Sequence, residues 1–444
     1  MTPFKRKIYR QMLDWKNTRK GRTALLVKGA RRIGKSTIVE EFAQKEYKSY
    51  ILIDFSKAGK DIRDLFNDMS DINFFFLMLK TRFDKKLYER ESVIIFDEVQ
   101  LCPQARQAIK HLVKDGRYDY IETGSLLSIK KNIKGIVIPS EETRIEMHPM
   151  DFEEFRWALN DEVSLPLMQE LFQKKRPAGN AVHRKLMRNF RLYMLIGGMP
   201  QALNAYIENN DFSTVDAVKR EILELYEDDF RRIDPTGKAS LLFNNIPAML
   251  SANVSRYQIS PVLGNNHLAS IEETLMDMKD SMTVSMAYHA NDPSVGFSLH
   301  KAISKFKLFL EDTGLFVTLA FKEKAFTENI IYQKLLNDSL NANLGYVYEN
   351  AIAQILRSKG AELFYYSFPK PNSTKRYEID FLLSCGNKIC PIEVKSSGYN
   401  VHASLDAFRQ KFSDRIKTCY LLHTKDTQAD GAIQMLPVYF AQFL

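Results

Sequence analysis

Along residues 1–20 the apolar positions Ile8, Met12 and Trp15 recur at helical spacing with Lys and Arg between them, which predicts an amphipathic helix. From residue 23 to about 147, short apolar runs alternate with helical segments. TALLVKG (23–29), YILIDF (50–55), SVIIFD (92–97), YDYIETG (118–124) and TRIEMH (143–148) read as strands, and KSTIVEEFAQK (35–45) reads as a helix. SVIIFD is apolar throughout, as a strand covered on both faces should be. Strand and helix in alternation predict a parallel sheet with helices on both sides.

After about residue 150 helical periodicity takes over. DFEEFRWAL (151–159) opens on an Asp in cap position, and 165–185 carries Pro and Gly and reads as a helix end plus a loop. Residues 186–207 and 213–231 are helical by period, the first interrupted by GGMP (197–200). Between 238 and about 333, short helices lead to two expected strands, VSMAYHA (284–290) and ENIIYQ (328–333). Three short helices and a hairpin suit a winged helix. The last hundred residues return to an α/β pattern. A helix over 342–358 precedes strands at ELFYYSF (362–368), RYEIDFLLS (376–384) and ICPIEVKS (389–396), then a helix at 402–412 and a strand at TCYLLH (418–423). The expected division is 1–160, 161–335 and 336–444. The aromatic run FFFLML (74–79) reads as core helix rather than a base-stacking platform.

A chain of 444 residues is long enough for about three domains, and its 45% hydrophobic and 26% charged residues are those of a globular protein. Mean hydropathy is −0.29, and no apolar run reaches the roughly 18 residues of a membrane span. The N-terminus carries no secretory pattern, and four cysteines without a CxxC pair argue against a disulfide framework or a zinc site, so a cytoplasmic location is expected. Net charge is +9, but residues 1–45 alone hold 13 Lys and Arg against 3 Asp and Glu, so the rest of the chain sums to −1. That basic segment is either a contact for nucleic acid or an acidic partner, or a solvated helix face.

Gly29-Ala30-Arg31-Arg32-Ile33-Gly34-Lys35-Ser36 is GxxxxGKS, and it joins an expected strand to an expected helix that continues with Thr37. This context identifies a phosphate-binding loop. The glycines let backbone N–H groups face phosphates, Lys35 is placed for the β- and γ-phosphates, and Ser36 for Mg2+. SVIIFDE ends in Asp97 and Glu98. Asp97 is the expected partner of the Mg2+ shell and Glu98 the residue that activates the attacking water. The next strand ends Thr123-Gly124-Ser125, where Thr123 is the first candidate and Ser125 the second for contact with the γ-phosphate or water, against a plain turn. Arg144 is a candidate finger or nucleotide sensor, or a solvated strand-end residue. Arg31 and Arg32 face either phosphate or solvent.

GARRIGKS, IIFDEVQ, ETGSLLS and RIEMHPMDFEEF resemble the archaeal and bacterial AAA-type ATPases whose C-terminal half is the DUF4143 region, and GGMPQAL and YEIDFLL…IEVKSS continue the match over nearly the whole chain. The resemblance implies an ATP- and Mg2+-dependent nucleoside-triphosphatase, a helical linker with a winged-helix segment, and a C-terminal nuclease-like fold. Many relatives carry Thr where this chain has Ser36, which serves the same purpose.

The C-terminal part holds a second constellation. Glu393 and Lys395 stand at i and i+2 of one strand and share a face, and Asp380 lies on the strand before it. This resembles the PD-(D/E)xK nuclease pattern, with Glu349 on the preceding helix as the extra acid. The carboxylates would bind a second divalent metal and Lys395 would polarise water; the alternative is a surface ion pair. Lys370, Lys375 and Arg376 flank a loop beside this face and are candidates for a phosphate backbone. The sequence reads first as an ATPase that couples nucleotide state to DNA association through its winged-helix and nuclease-like parts; the alternatives are a nucleotide-gated switch that docks a protein partner with an inactive nuclease-like domain, and an ATP-licensed metal-dependent nuclease.

Overall fold

The computed structural model describes residues 3–124, 140–252, 254–264, 270–322, 329–337, 344–398 and 400–444. The chain divides into two compact units, Met1–His148 with Asp280–Met282, and Pro149–Lys279 with Thr283–Leu444.

The first unit is a five-stranded sheet in the order β2-β3-β4-β1-β5, with every pairing parallel. The strands are β1 (Ala24–Lys28), β2 (Ser49–Asp54), β3 (Ser92–Asp97), β4 (Asp119–Gly124) and β5 (Glu142–Glu146). β3 and β4 are buried along their whole length; β3 accordingly reads as an apolar run, while β4 buries the polar Asp119, Glu122 and Thr123. Ile51, Ile53, Ile94 and Phe96 from the sheet pack with Phe75, Phe76 and Leu79 of helix Ile72–Phe83 and Ile109 and Leu112 of helix Pro103–Asp115. The FFFLML run is therefore half core: Phe75, Phe76 and Leu79 are buried, while Phe74 and Leu77 stay 56% and 55% exposed. Helix Ile8–Arg19 buries Ile8, Met12 and Trp15, the three positions its spacing selected.

The second unit opens with helix Phe152–Ala158, where Asp151 accepts from the Glu154 N–H at 2.9 Å and Glu154 returns the bond to the Asp151 N–H, a capping box. GGMP ends helix Asn180–Ile196 and starts helix Pro200–Asn209. Its glycines are demanded by close approach. A Cβ on Gly197 would lie 2.2 Å from Asp312 Oδ1, and one on Gly198 would lie 2.1 Å from the Met150 carbonyl oxygen.

Two further sheets follow. One has the order β7-β6-β8-β9, from β6 (Val284–Ala290), β7 (Lys301–Leu310), β8 (Leu363–Pro369) and β9 (Arg376–Ile379). The other has the order β10-β11-β12-β14-β13, from β10 (Phe381–Cys385), β11 (Lys388–Lys395), β12 (Cys419–His423), β13 (Gln428–Asp430) and β14 (Ile433–Pro437). The expected strand RYEIDFLLS is split by Asp380 between β9 and β10, one in each sheet.

The expected wing is not formed. Residues 329–336 are helix, Asn329–Leu336, because Tyr332, Leu335 and Leu336 bury one helical face. β6 pairs instead with β7 on one edge and, in parallel, with β8 on the other, so it is an inner strand of the sheet and not half of a free hairpin. The strand β7 was not anticipated. The boundary expected at 335/336 runs through this second unit.

Candidate nucleotide site and C-terminal carboxylate cluster

The loop after β1 carries two left-handed residues, Arg32 (φ 66°) and Gly34 (φ 92°), before helix Lys35–Glu46 begins. Gly29 is required for a different reason: a Cβ there would sit 2.4 Å from the Met147 carbonyl oxygen at the end of β5. Lys35 is buried and its Nζ donates to the carbonyls of Gly29 and Ala30 at 3.1 and 2.7 Å, folded back on the loop it belongs to. Ile33 is buried, Arg31 is half-buried, and Arg32 and Thr37 are exposed.

Between β1 and β3 lies β4, so Thr123 at its end falls between the loop and the acidic pair. Two hydroxyls, one from the helix after the loop and one from the end of β4, converge on one oxygen at the end of β3. Ser36 Oγ donates to Asp97 Oδ1 at 2.7 Å, and Thr123 Oγ1 donates to the same oxygen. Thr123 Oγ1 also accepts the Glu98 N–H at 3.2 Å. Glu98 adopts a left-handed conformation (φ 53°), and the Gln100 side chain donates to its Oε2. Hydroxyl and carboxylate oxygens at the mouth of a phosphate loop suit a hard divalent cation, so Ser36 and Asp97 fit Mg2+ chemically. Ser125 lies outside the described residues.

Arg144 is not brought to this cluster. It stands beside Leu26 in the β1–β5 register, short of the loop, and its guanidinium pairs with Glu142 on its own strand. Glu142 in turn binds Arg106 at 2.8 Å, and Arg106 binds the buried Glu122 at 3.2 Å. Burial raises the Glu122 carboxyl well above the ordinary range against the pull of Arg106.

Arg6 was not singled out from the sequence, yet it is buried and supports the loop. Its guanidinium donates to the Ile33 carbonyl at 2.9 Å and to the His148 carbonyl at 2.6 Å. Lys16 donates to the Glu46 carbonyl and lies 4.1 Å over the Tyr47 ring. Part of the basic N-terminal segment is thus spent inside the first unit. The composition of the segment carried no signal of this, because charge counts do not distinguish a buried guanidinium from a solvated one.

In the second unit, Glu349, Asp380, Glu393 and Lys395 do come together. Asp380 Oδ2 accepts the Val394 N–H of β11 at 2.7 Å, and Lys395 Nζ lies 2.8 Å from Glu393 Oε1. Two further residues complete the cluster. Lys307 of β7 is buried, and its Nζ binds Glu349 Oε1 at 2.9 Å and Glu378 Oε1 at 2.6 Å. Burial, then Glu349, push the Asp380 carboxyl well above its usual range, and Glu393 and Glu378 add to this while Lys307 opposes it. Burial works against the Lys307 ammonium, but Glu349 and Glu378 outweigh it and hold it charged. The donor set expected for a second divalent metal is present, but the Lys307 ammonium already lies on Glu349 and Glu378. As arranged, these residues do not fit a metal. Among the described residues, no group of three or more His, Cys, Asp or Glu is disposed to hold one.

On the surface loop, Lys370, Lys375 and Arg376 are all exposed. Arg376 donates to the Ser367 carbonyl at 2.8 Å. All four cysteines are free thiols, and among the described residues no helix is long and apolar enough to cross a membrane.

The parallel sheet and its loop define a P-loop nucleoside-triphosphatase type of fold in the first unit. Comparison with known families matches three segments: residues 21–156 match an AAA domain, 187–325 match the domain of unknown function DUF8612, and 323–440 match the domain of unknown function DUF4143. The AAA-type match supports nucleotide binding and hydrolysis. No curated protein matches the chain. Among solved structures, a Walker-type ATPase of Pyrococcus abyssi is similar at 14% identity and a TM-score of 0.41, over 71% of this chain and 96% of that one. A signal-transduction ATPase with numerous domains and a tetratricopeptide-repeat sensor from Pyrococcus horikoshii gives 13% and 0.26, over 78% of this chain and 45% of that one. Cdc6p of Pyrobaculum aerophilum gives 13% and 0.25, over 77% and 97%.

Proposed function

We propose that this protein is a Mg2+-dependent ATP hydrolase whose nucleotide state gates the docking of a protein partner. The observation that carries the hydrolase reading is the convergence of Ser36 and Thr123 on Asp97 Oδ1 beside the phosphate loop. Bound Mg2+ would supply charge neutralisation for the phosphates, with Ser36 and Asp97 holding its shell. Lys35 has carbonyl partners that phosphate oxygens replace, so its charge is available to the nucleotide without rebuilding the loop. Backbone N–H groups at the start of helix Lys35–Glu46 add a favourable field for anions. Glu98 accepts the proton of the attacking water, and Gln100 holds its carboxylate in place. Thr123 links the two acids, because it donates to Asp97 and receives the Glu98 N–H, so a change at the γ-phosphate position reaches both. Loops around a γ-phosphate change order on hydrolysis, which is sufficient to gate a partner.

DNA association is the second reading. Its support is the exposed cationic loop of Lys370, Lys375 and Arg376. It has lost the wing, and Arg6 and Lys16 of the basic segment are engaged within the first unit. The two readings separate in one experiment: ATP turnover with and without duplex and single-stranded DNA at two salt concentrations. The switch reading expects turnover indifferent to DNA and capture of a protein by a Glu98→Gln variant held with ATP. Salt-sensitive stimulation by DNA would overturn it in favour of the second.

A further inference from the structure

Four carboxylates, Glu349, Glu378, Asp380 and Glu393, and two ammonium groups, Lys307 and Lys395, meet where β7, β9, β11 and helix Gly345–Ser358 come together. A nuclease of this pattern would place a divalent cation among the acids. Here the positions around Lys307 are those of an ammonium. Its contacts of 2.9 and 2.6 Å to Glu349 and Glu378 are donor–acceptor distances, whereas Mg2+ would draw oxygens to about 2.1 Å. Lys307 is not a surface residue that has folded inward. It lies opposite Ala287 of the inner strand β6, and Nζ is 5.5 Å from the Tyr365 ring centroid.

We propose that Lys307 is the resident cation of this site: its ammonium takes the place of a divalent metal, and the cluster serves as an internal ionic junction of the second unit, not as a metal-dependent nuclease centre. One consequence is already visible in the cluster. Glu393 is 4% exposed, and its Oε2 has no hydrogen-bond partner, so one acidic oxygen remains open to a cation. Removing the Lys307 charge leaves the carboxylates of Glu349, Glu378, Asp380 and Glu393 in one cluster with Lys395 as its remaining ammonium. That is an oxygen donor set for a hard divalent ion. The inference rests on the contacts of this cluster and is independent of the ATPase site.

Mn2+ titrated into nucleotide-free full-length protein, with bound ion counted by electron paramagnetic resonance, tests this. The proteins are the parent, Asp380→Asn, Lys307→Met, and Lys307→Met with Asp380→Asn. The parent and Asp380→Asn are expected to bind the same amount of Mn2+. Lys307→Met is expected to gain one equivalent, which the double variant loses again. A parent that gives up an equivalent of Mn2+ on Asp380→Asn would overturn the proposal, since the ammonium would then yield to a metal. So would a folded Lys307→Met that gains none. If Lys307→Met does not fold, the parent against Asp380→Asn decides alone. ATP turnover of the same proteins reports the first unit separately, so a failed ATPase reading leaves this result intact.

Discussion

Ser36 Oγ, in the first turn of the helix after the phosphate loop, donates to Asp97 Oδ1 at the end of β3 at 2.7 Å. Two segments distant in sequence thus meet at one oxygen. Thr123 joins the same oxygen from the intervening strand, so the groups that would hold Mg2+ and phosphate are gathered at one point and held by one another. Positioning of this kind reduces the reorganisation that accompanies binding and reaction.

Lys35→Ala should abolish useful ATP binding. The ammonium is buried in the loop, and loss of one member of a buried charged contact costs about 2–5 kcal/mol, or roughly 30- to 5,000-fold in affinity. Titration with a fluorescent ATP analogue measures it; affinity within threefold of the parent would contradict the assigned role.

Thr123→Val keeps the shape of the β4 end but removes the donor to Asp97 and the acceptor of the Glu98 N–H. A hydrogen bond to a charged group contributes about 1.5–3 kcal/mol, so kcat should fall roughly 10- to 100-fold while ATP affinity changes little. A selective rise in KM with kcat unchanged would place Thr123 in binding and not in the hydrolytic step.

Arg6→Gln should loosen the loop from the N-terminal side. The guanidinium is a positioning group: it holds the Ile33 and His148 carbonyls and does not reach the acidic pair. Its loss should weaken ATP binding by about tenfold, from about 1.5 kcal/mol in charged hydrogen bonds, with the pH profile of turnover unchanged. Rescue of affinity by Arg6→Lys would fit this role. A displaced pH profile would mean that Arg6 acts on the reacting groups.

Acid sensitivity should be traceable to His423. Burial first, with the nearby His183, lowers its pKa to about 4. Between that value and the unfolded value of about 6.5 the native protein binds fewer protons than the unfolded chain. Its contribution to stability is therefore intact above about pH 6.5 and is lost as pH falls towards 4. Urea unfolding of the parent and His423→Gln from pH 7.5 to 4.5 should show the parent losing more stability on acidification; parallel losses would contradict the assignment.

The nucleotide half was legible because its signals are local. GxxxxGKS needs only a strand before it and a helix after it, and the fully buried strand β3 is apolar enough to be seen without a partner. The order of the strands, which sets Thr123 between loop and acids, followed only from the pairing. In the second half, six residues could not separate strand from helix. ENIIYQ has the β-branched and aromatic composition of a strand, yet Tyr332, Leu335 and Leu336 share a helical face. β7 is not legible because in KAISKFKLFL Lys301, Lys305 and Lys307 alternate on one face with Ile303 and Phe309, and Lys307, polar by type, is buried with partners contributed by Glu349 and Glu378. Glu393 and Lys395 were expected together from the period of a strand, and they form an ion pair at 2.8 Å. Nothing in their spacing announced that a second lysine from another strand would enter the same cluster.

The central claim is ATP hydrolysis driven by Glu98 beside Asp97. The most direct measurement is Mg2+-dependent phosphate release by the purified parent and by Glu98→Gln, with ATP affinity measured on both. The predicted result is unchanged affinity and a kcat reduced about 10²- to 10⁴-fold, the range of a positioned general base. A Glu98→Gln protein that binds ATP and turns it over at near the parent rate would contradict the account and remove Glu98 from the reaction.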